Sequence, residues 1–294
     1  MNDQAERLRW LAKSLKEQVN AEIKGNSVSS RIFAVTSGKG GVGKTNLSLN
    51  LALAMIEYGK KVVLMDADMG TANIDVILGV FPQYNLFHVA EGSRKLNEII
   101  LEGPRGLRII PGVSGIRNLA NLSTQRFEQL MAELREFEQN TELMIIDTGA
   151  GISDNVIKFL LAADEVVVVT TPEPTSLTDA YALIKIVAQE NNNPTISLII
   201  NRVNNEKEGL FVANKLKQAT QRFLNLDINT LGYVVNDSAV VESVKKQQPF
   251  LLTYPKAPAT TCVYHIAAQL CQQNCFKPKA SGGFFNRVMR LLRR

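Results

Sequence analysis

Gly38-Lys39-Gly40-Gly41-Val42-Gly43-Lys44-Thr45 is the stretch that decides the fold. It follows the apolar run Ile32–Thr36 and leads into Lys44–Tyr58, whose pattern predicts a helix. The spacing fits G-x-x-x-x-G-K-[ST], a loop that wraps phosphates between a strand and a helix. Its glycines let successive backbone N–H groups point inward at phosphate oxygens, and the helix N-terminus adds partial positive charge. Lys44 is placed to reach β- and γ-phosphates, and Thr45 to set its hydroxyl on Mg²⁺. Gly38, Lys39, Gly40, Gly41, Val42, Gly43 and Asn46 complete the expected cradle. A glycine-rich turn without a ligand is the competing reading, and the Lys-Thr pair with these flanks argues against it.

Outward from the loop, short apolar runs alternate with helical patterns. Strands are expected at Ile32–Thr36, Lys61–Met65, Leu107–Ile110, Leu143–Ile146, Glu165–Thr170, Thr195–Ile200 and Asn229–Val235. Lys44–Tyr58, Thr124–Phe137 and Leu177–Gln189 are among the helices between them. The runs lack clean period-two alternation, as parallel strands covered on both faces do. The expected fold is therefore α/β: a single doubly wound, mostly parallel sheet that binds ligands beyond its strand C-termini.

This body spans 31–275. Before it, residues 1–24 place Leu8, Leu11, Leu15, Val19 and Ile23 at helical steps, which predicts an amphipathic helix, and 25–30 read as a linker. After it, 276–283 read as a flexible tether. In 284–294 Phe284, Phe285, Val288, Leu291 and Leu292 share one helical face, with Arg287, Arg290 and Arg294 opposite.

The chain has 294 residues, 45% apolar and 21% charged, which excludes a disordered or disulfide-scaffold protein. No apolar run approaches the ~18 residues of a membrane span. The charged N-terminus argues against export, and three cysteines suit a reduced, cytoplasmic protein. The net charge of +5 is unevenly spread: residues 276–294 carry six basic side chains and no acidic one, leaving the remainder at −1. That disfavours direct nucleic-acid binding by the body and points the tail toward an anionic membrane surface. Cys262, His265, Cys271 and Cys275 could be read as zinc ligands, but a helix over 261–272 would spread them over roughly 20 Å.

Three motifs in order carry a family resemblance. Lys39 makes the loop Lys-Gly-Gly-Val-Gly-Lys-Thr, which resembles the deviant Walker A of the MinD/ParA-type, SIMIBI-class ATPases. Val62-Val-Leu-Met-Asp66-Ala-Asp68-Met-Gly70-Thr-Ala-Asn73-Ile-Asp75 resembles the family's second acidic motif. Leu143-Met-Ile-Ile-Asp147-Thr-Gly149-Ala-Gly151 is similar to its Walker B and switch region. The resemblance covers about 31–275 and implies an ATPase working with ATP, ADP and Mg²⁺. It implies that Lys39 crosses an ATP-sandwiched homodimer to the partner's phosphates, that Asp68 orients the attacking water, and that Asp68 and Asp147 hold Mg²⁺ through water. Gly149 would offer its N–H to the γ-phosphate. Asp66 is either a neighbour of that chemistry or a helix cap. Ile199-Ile-Asn201-Arg202-Val203 and Tyr233-Val-Val235-Asn236-Asp237 resemble base-binding strand ends, and Glu173 stands where the family contacts the partner subunit's nucleotide.

Within the family, Asp3-Gln4-Ala5-x-x-Leu8-Arg9 and Glu173-Pro-Thr-Ser-Leu-Thr-Asp179-Ala-Tyr resemble the flagellar FlhG branch, also written YlxH or FleN. That resemblance implies control of flagellar number and placement. Gln4, Leu8 and Leu11 would stimulate the SRP-type GTPase FlhF, and C-ring switch proteins would be partners. It also implies an inner-membrane surface gripped reversibly by Phe284, Phe285, Arg287, Val288, Leu291 and Leu292. The alternatives are a cell-division or chromosome-positioning ATPase, or a FleN-like antagonist of a flagellar transcription activator.

Overall fold

The computed structural model describes residues 30–68, 73–112, 124–191, 194–272 and 283–292. Gln4, Leu8 and Leu11, with the segments 1–24 and 276–282, lie outside the described residues. So does Cys275.

Eight strands form one sheet: β1 Arg31–Ser37, β2 Val62–Ala67, β3 Leu101–Glu102, β4 Arg108–Ile110, β5 Leu143–Ala150, β6 Glu165–Thr170, β7 Ile196–Val203 and β8 Asn229–Val235. Their order is β3-β4-β2-β5-β1-β6-β7-β8, and only the β3–β4 pair is antiparallel. The doubly wound fold expected from the alternation is the fold observed. β1 lies at the centre between β5 and β6, so the chain leaves it toward both edges. A crevice opens at such a point beyond the strand C-termini.

β1, β2 and β6 are buried along their whole lengths, which explains why none alternates. One apolar layer covers each face, built around Ile146, Val168 and Leu183 on one side and Phe33, Leu49 and Val263 on the other. The phosphate loop feeds helix α1, Lys44–Glu57, which is apolar nearly all round because the sheet and the long helix Pro258–Gln272 enclose it. That helix runs unbroken through Cys262, His265 and Cys271. Burial pushes the Cys271 thiol up to about 12, so it packs as a small apolar group.

Two differences from the sequence reading matter for the site. β5 extends past Ile146 to Ala150, carrying Asp147 and Gly149 on the strand itself. The short β3, two residues long, has no sequence signature of its own.

The C-terminal helix, Phe284–Leu292, is docked on the body. Phe284, Phe285 and Val288, expected to face lipid, are buried against helix α5, Thr124–Gln139, and helix α6, Asp154–Ala162. The Phe284 ring sits 6.0 Å from that of Phe159. Glu138 accepts from the backbone N–H groups of Phe284 and Phe285 at 2.6 and 3.2 Å, capping the helix start. Arg287 donates to the Ala162 carbonyl at 2.6 Å and to Asp164 at 2.8 Å instead of facing outward. Leu291 is half-buried and Leu292 exposed. The physical reason is that each buried Phe or Val contributes roughly 1.5–3 kcal/mol that a solvated helix would forgo.

Two predictions arise here. Phe284→Ala is expected to destabilise the protein by about 3–5 kcal/mol in denaturant titrations, since the cavity adds to lost burial. Burial outweighs the amide donors and raises the Glu138 carboxyl above its ordinary 4.5. The folded state then holds this proton after the unfolded state has lost it. The contribution is present at low pH and fades as pH rises through the raised value. Melting curves from pH 4 to 8 should show this part of the slope in the wild type and not in Glu138→Gln.

Candidate functional site

The site is assembled at the ends of β1, β2, β5 and β7. The loop after β1 turns through left-handed Gly41 and Gly43, at φ 77° and 92°. A Cβ on Gly43 would stand 2.5 Å from the Asn201 amide nitrogen, so glycine serves both the turn and the close approach of β7. Helix α1 starts without a side-chain cap and without an acidic residue in its first turn, which leaves its amides and positive dipole end for an anion.

β5 places Asp147 opposite Asp66 of β2 and Val35 of β1. Asp147 is fully buried and Lys44 nearly so, with Nζ 3.1 Å from Asp147 Oδ1. Ser48 Oγ lies 2.9 Å from the same oxygen. Asp147 Oδ2 is buried and, among the described residues, has no hydrogen-bond partner. A buried carboxylate oxygen left open beside a phosphate loop, with Thr45 one residue from Lys44, suits a hard divalent cation. The donor set therefore fits Mg²⁺, with Thr45 and Asp147 as the residues to hold it.

Asp66 anchors the start of the neighbouring loop. Its oxygens accept from the backbone N–H groups of Asp68 at 3.0 Å, Asn73 at 3.1 Å and Ile74 at 3.4 Å. Ile74 opens a short helix, Ile74–Leu78, so the capping role considered for Asp66 is the one its contacts describe. Burial, with the Asp147 charge adding, pushes this carboxyl up to about 7 against those lowering amide bonds. Asp68 is half-buried, and its Oδ2 accepts from the Asn73 amide at 3.4 Å. A Cβ built on Gly149 would lie 3.4 Å from Asp68 Oδ1, so the second and third motifs meet. The Gly151 N–H donates to Ser37 at 2.9 Å, tying the end of β5 to the end of β1.

Lys39 stands away from this centre. Its Nζ is half-exposed, 3.0 Å from Glu173 and 3.1 Å from Thr175 of the same chain. The structure thus brings Lys39 and Glu173 to each other at the start of helix α7, Pro174–Glu190.

The base-side residues divide. Asn201 is buried and donates to the Val42 carbonyl at 2.7 Å, so its amide nitrogen is engaged with the loop and its Oδ1 points elsewhere. Arg202 sits at φ 57° in a bulge of β7 and is exposed. A left-handed non-glycine residue of this kind stores strain where a side chain is turned out of the ladder. Val235 is half-buried and Asn236 exposed. Asp237 differs from the base-reading role expected of it. One oxygen accepts from Ala239 N–H at 2.9 Å and the other from Ala259 N–H at 3.1 Å, so it caps two helices at once. Asn46 accepts from Asn50 at 2.8 Å, one turn along α1. Ser48 was not among the residues expected at the site, although its position four residues after Lys44 on one helix face marks it.

A family model described as an AAA domain matches residues 30–200. The antiactivator FleN of Pseudomonas aeruginosa is 39% identical over 82% of this chain and 86% of its own. The chain belongs to the MinD/ParA family of P-loop ATPases. The flagellum site-determining protein YlxH of Helicobacter pylori is 40% identical over 84% of this chain and 83% of its own. The solved MinD of Pyrococcus horikoshii, complexed with Mg-ADP, shares the fold at a TM-score of 0.68 and 24% identity, over 85% of this chain and 99% of its own. As a MinD/ParA-family protein, the chain is an ATPase. Among the described residues, no helix is long and apolar enough to cross a membrane.

Proposed function

We propose that this MinD/ParA-family ATPase is an ATP-switched homodimer that regulates flagellar number and placement. The flagellar reading draws on the identity to FleN and YlxH. The dimer reading is carried by one observation: Lys39 lies at the surface beside the loop, held by Glu173, and not on its own Asp147. Exposed ion pairs of this type contribute about 0–1 kcal/mol, so the lysine is cheaply redirected to a partner's phosphates.

In this reading the two lysines and Mg²⁺ compensate phosphate charge, while Asp68 accepts from the attacking water. Mg²⁺ supplies charge neutralisation when bound. Gly38, Gly40, Gly41, Val42, Gly43, Lys44, Thr45 and Asn46 hold the phosphates, Gly149 meets the γ-phosphate, and Asn201, Arg202, Val235 and Asn236 border the base. Asn201 Oδ1 is left as an acceptor, which suits the amino group of adenine.

Residues 1–24 would stimulate FlhF, with Gln4 entering its nucleotide site and Leu8 and Leu11 anchoring the helix. The docked C-terminal helix is the closed state of a membrane anchor. Undocking exposes Phe284, Phe285 and Val288, and insertion into an anionic interface returns that burial, with about 1 kcal/mol per arginine near the lipid. Two anchors on one dimer then bind far better than one. C-ring proteins are the expected partners in the ATP state.

Sedimentation with anionic vesicles tests the anchor. Binding should need MgATP, fall with salt and vanish when 284–294 are deleted; equal sedimentation without ATP would sink the switch. A peptide of residues 1–24 should accelerate GTP hydrolysis by FlhF, and Gln4→Ala should abolish the effect. A second reading, antagonism of a flagellar transcription activator, draws on the name antiactivator carried by FleN. Co-purification of an enhancer-binding activator would favour it.

A further inference from the structure

We propose that Ser48 is a positioning residue of the ATPase site, fixing the Asp147 carboxylate so that Oδ2 stays turned toward the metal. The inference rests on the ATPase assignment and on Asp147 as the metal-side carboxylate, and it is independent of the flagellar reading.

Ser48 is fully buried on α1, one turn beyond Lys44. A helical serine ordinarily bonds back to the carbonyl four residues earlier, and the Lys44 carbonyl is 3.1 Å away. Asp147 Oδ1 lies closer, at 2.9 Å. A hydroxyl has one proton, and an ionised acceptor makes the stronger bond, so the proton goes to the carboxylate.

The two oxygens of Asp147 are thereby distinguished. Oδ1 takes Lys44 and Ser48, and Oδ2 takes neither. When Lys44 moves onto β- and γ-phosphates, Oδ1 loses one of these two donors. Rotation about the last side-chain bond of an aspartate is soft and two-fold, so a carboxylate without a donor on one oxygen has no fixed plane. Ser48 remains on Oδ1 after the lysine leaves. Its bond keeps the carboxylate plane in place, and Oδ2 with it. Partners that orient a metal-side ligand in this way typically alter metal affinity about 10–100-fold when removed.

The test uses the full-length protein with a non-hydrolysable ATP analogue and Mn²⁺, whose binding is read by electron paramagnetic resonance. Ser48→Ala should weaken Mn²⁺ about 10-fold or more. Binding of the analogue without metal should be unchanged. The loss in turnover should be largely recovered by raising Mg²⁺, a split that a merely structural defect would not produce. Ser48→Cys fills the same space with a weak donor and should behave like alanine, whereas Ser48→Thr keeps the hydroxyl and should retain Mn²⁺ affinity. Wild-type Mn²⁺ affinity in both Ser48→Ala and Ser48→Cys would overturn the proposal. If Asp147→Asn still loses Mn²⁺ in that case, the carboxylate reading survives without Ser48. If Asp147→Asn keeps it as well, both readings fall.

Discussion

Asp68→Ala is expected to bind MgATP as the wild type does while hydrolysing it slower by a factor on the order of 10² or more. Asp68 is half-buried at the meeting of the second and third motifs, with its carboxylate beside Gly149. In the proposed reading its removal takes away the acceptor for the attacking water, while Lys44 and the phosphate loop are retained. The variant should therefore accumulate in the ATP-bound form. Single-turnover hydrolysis separates this from weak binding. A rate within a few-fold of the wild type would show that another group orients the water.

Lys44→Ala is expected to fail earlier, at binding. In the proposed reading Lys44 supplies charge-assisted bonds to phosphate, each contributing about 1.5–3 kcal/mol, so ATP affinity should fall on the order of 100-fold. Calorimetry with ATP reads this directly. The same substitution strands the fully buried Asp147 without its cation. Breaking a buried pair from one side costs about 3–5 kcal/mol, and the Ser48 donor should bring the loss toward the lower end. Nucleotide-free Lys44→Ala should thus be less stable than the wild type in chemical denaturation. An unchanged affinity would remove Lys44 from the phosphate site.

The sheet was legible because its runs are short, apolar and regularly interrupted, and because one loop with a fixed spacing orders everything after it. Where local pattern carried the information, at Glu165–Thr170 and Asn229–Val235, strand limits agree with the structure. β3 was not legible, since two residues paired to β4 owe their conformation to that pairing and not to composition. Asp237 shows the same limit at the site. Its sequence neighbours suggest a base-binding loop, but both of its oxygens are spent on helix starts, one of them 22 residues away. The C-terminal helix shows it most clearly. An amphipathic pattern gives the apolar face of a helix but not the surface that covers it. Here Glu138 and Asp164, distant in sequence, complement the helix start and Arg287. Ser48 was within reach, because a four-residue step from Lys44 places it on the same face of α1.

In the proposed reading ATP closes two copies of this chain through Lys39. Multi-angle light scattering of Asp68→Ala, with and without MgATP and beside the Lys39→Ala/Asp68→Ala double variant, tests it most directly. Twice the protomer mass is expected for Asp68→Ala with MgATP, the protomer mass without nucleotide, and the protomer mass for the double variant in both conditions. An Asp68→Ala protein that binds MgATP and remains a monomer would contradict it.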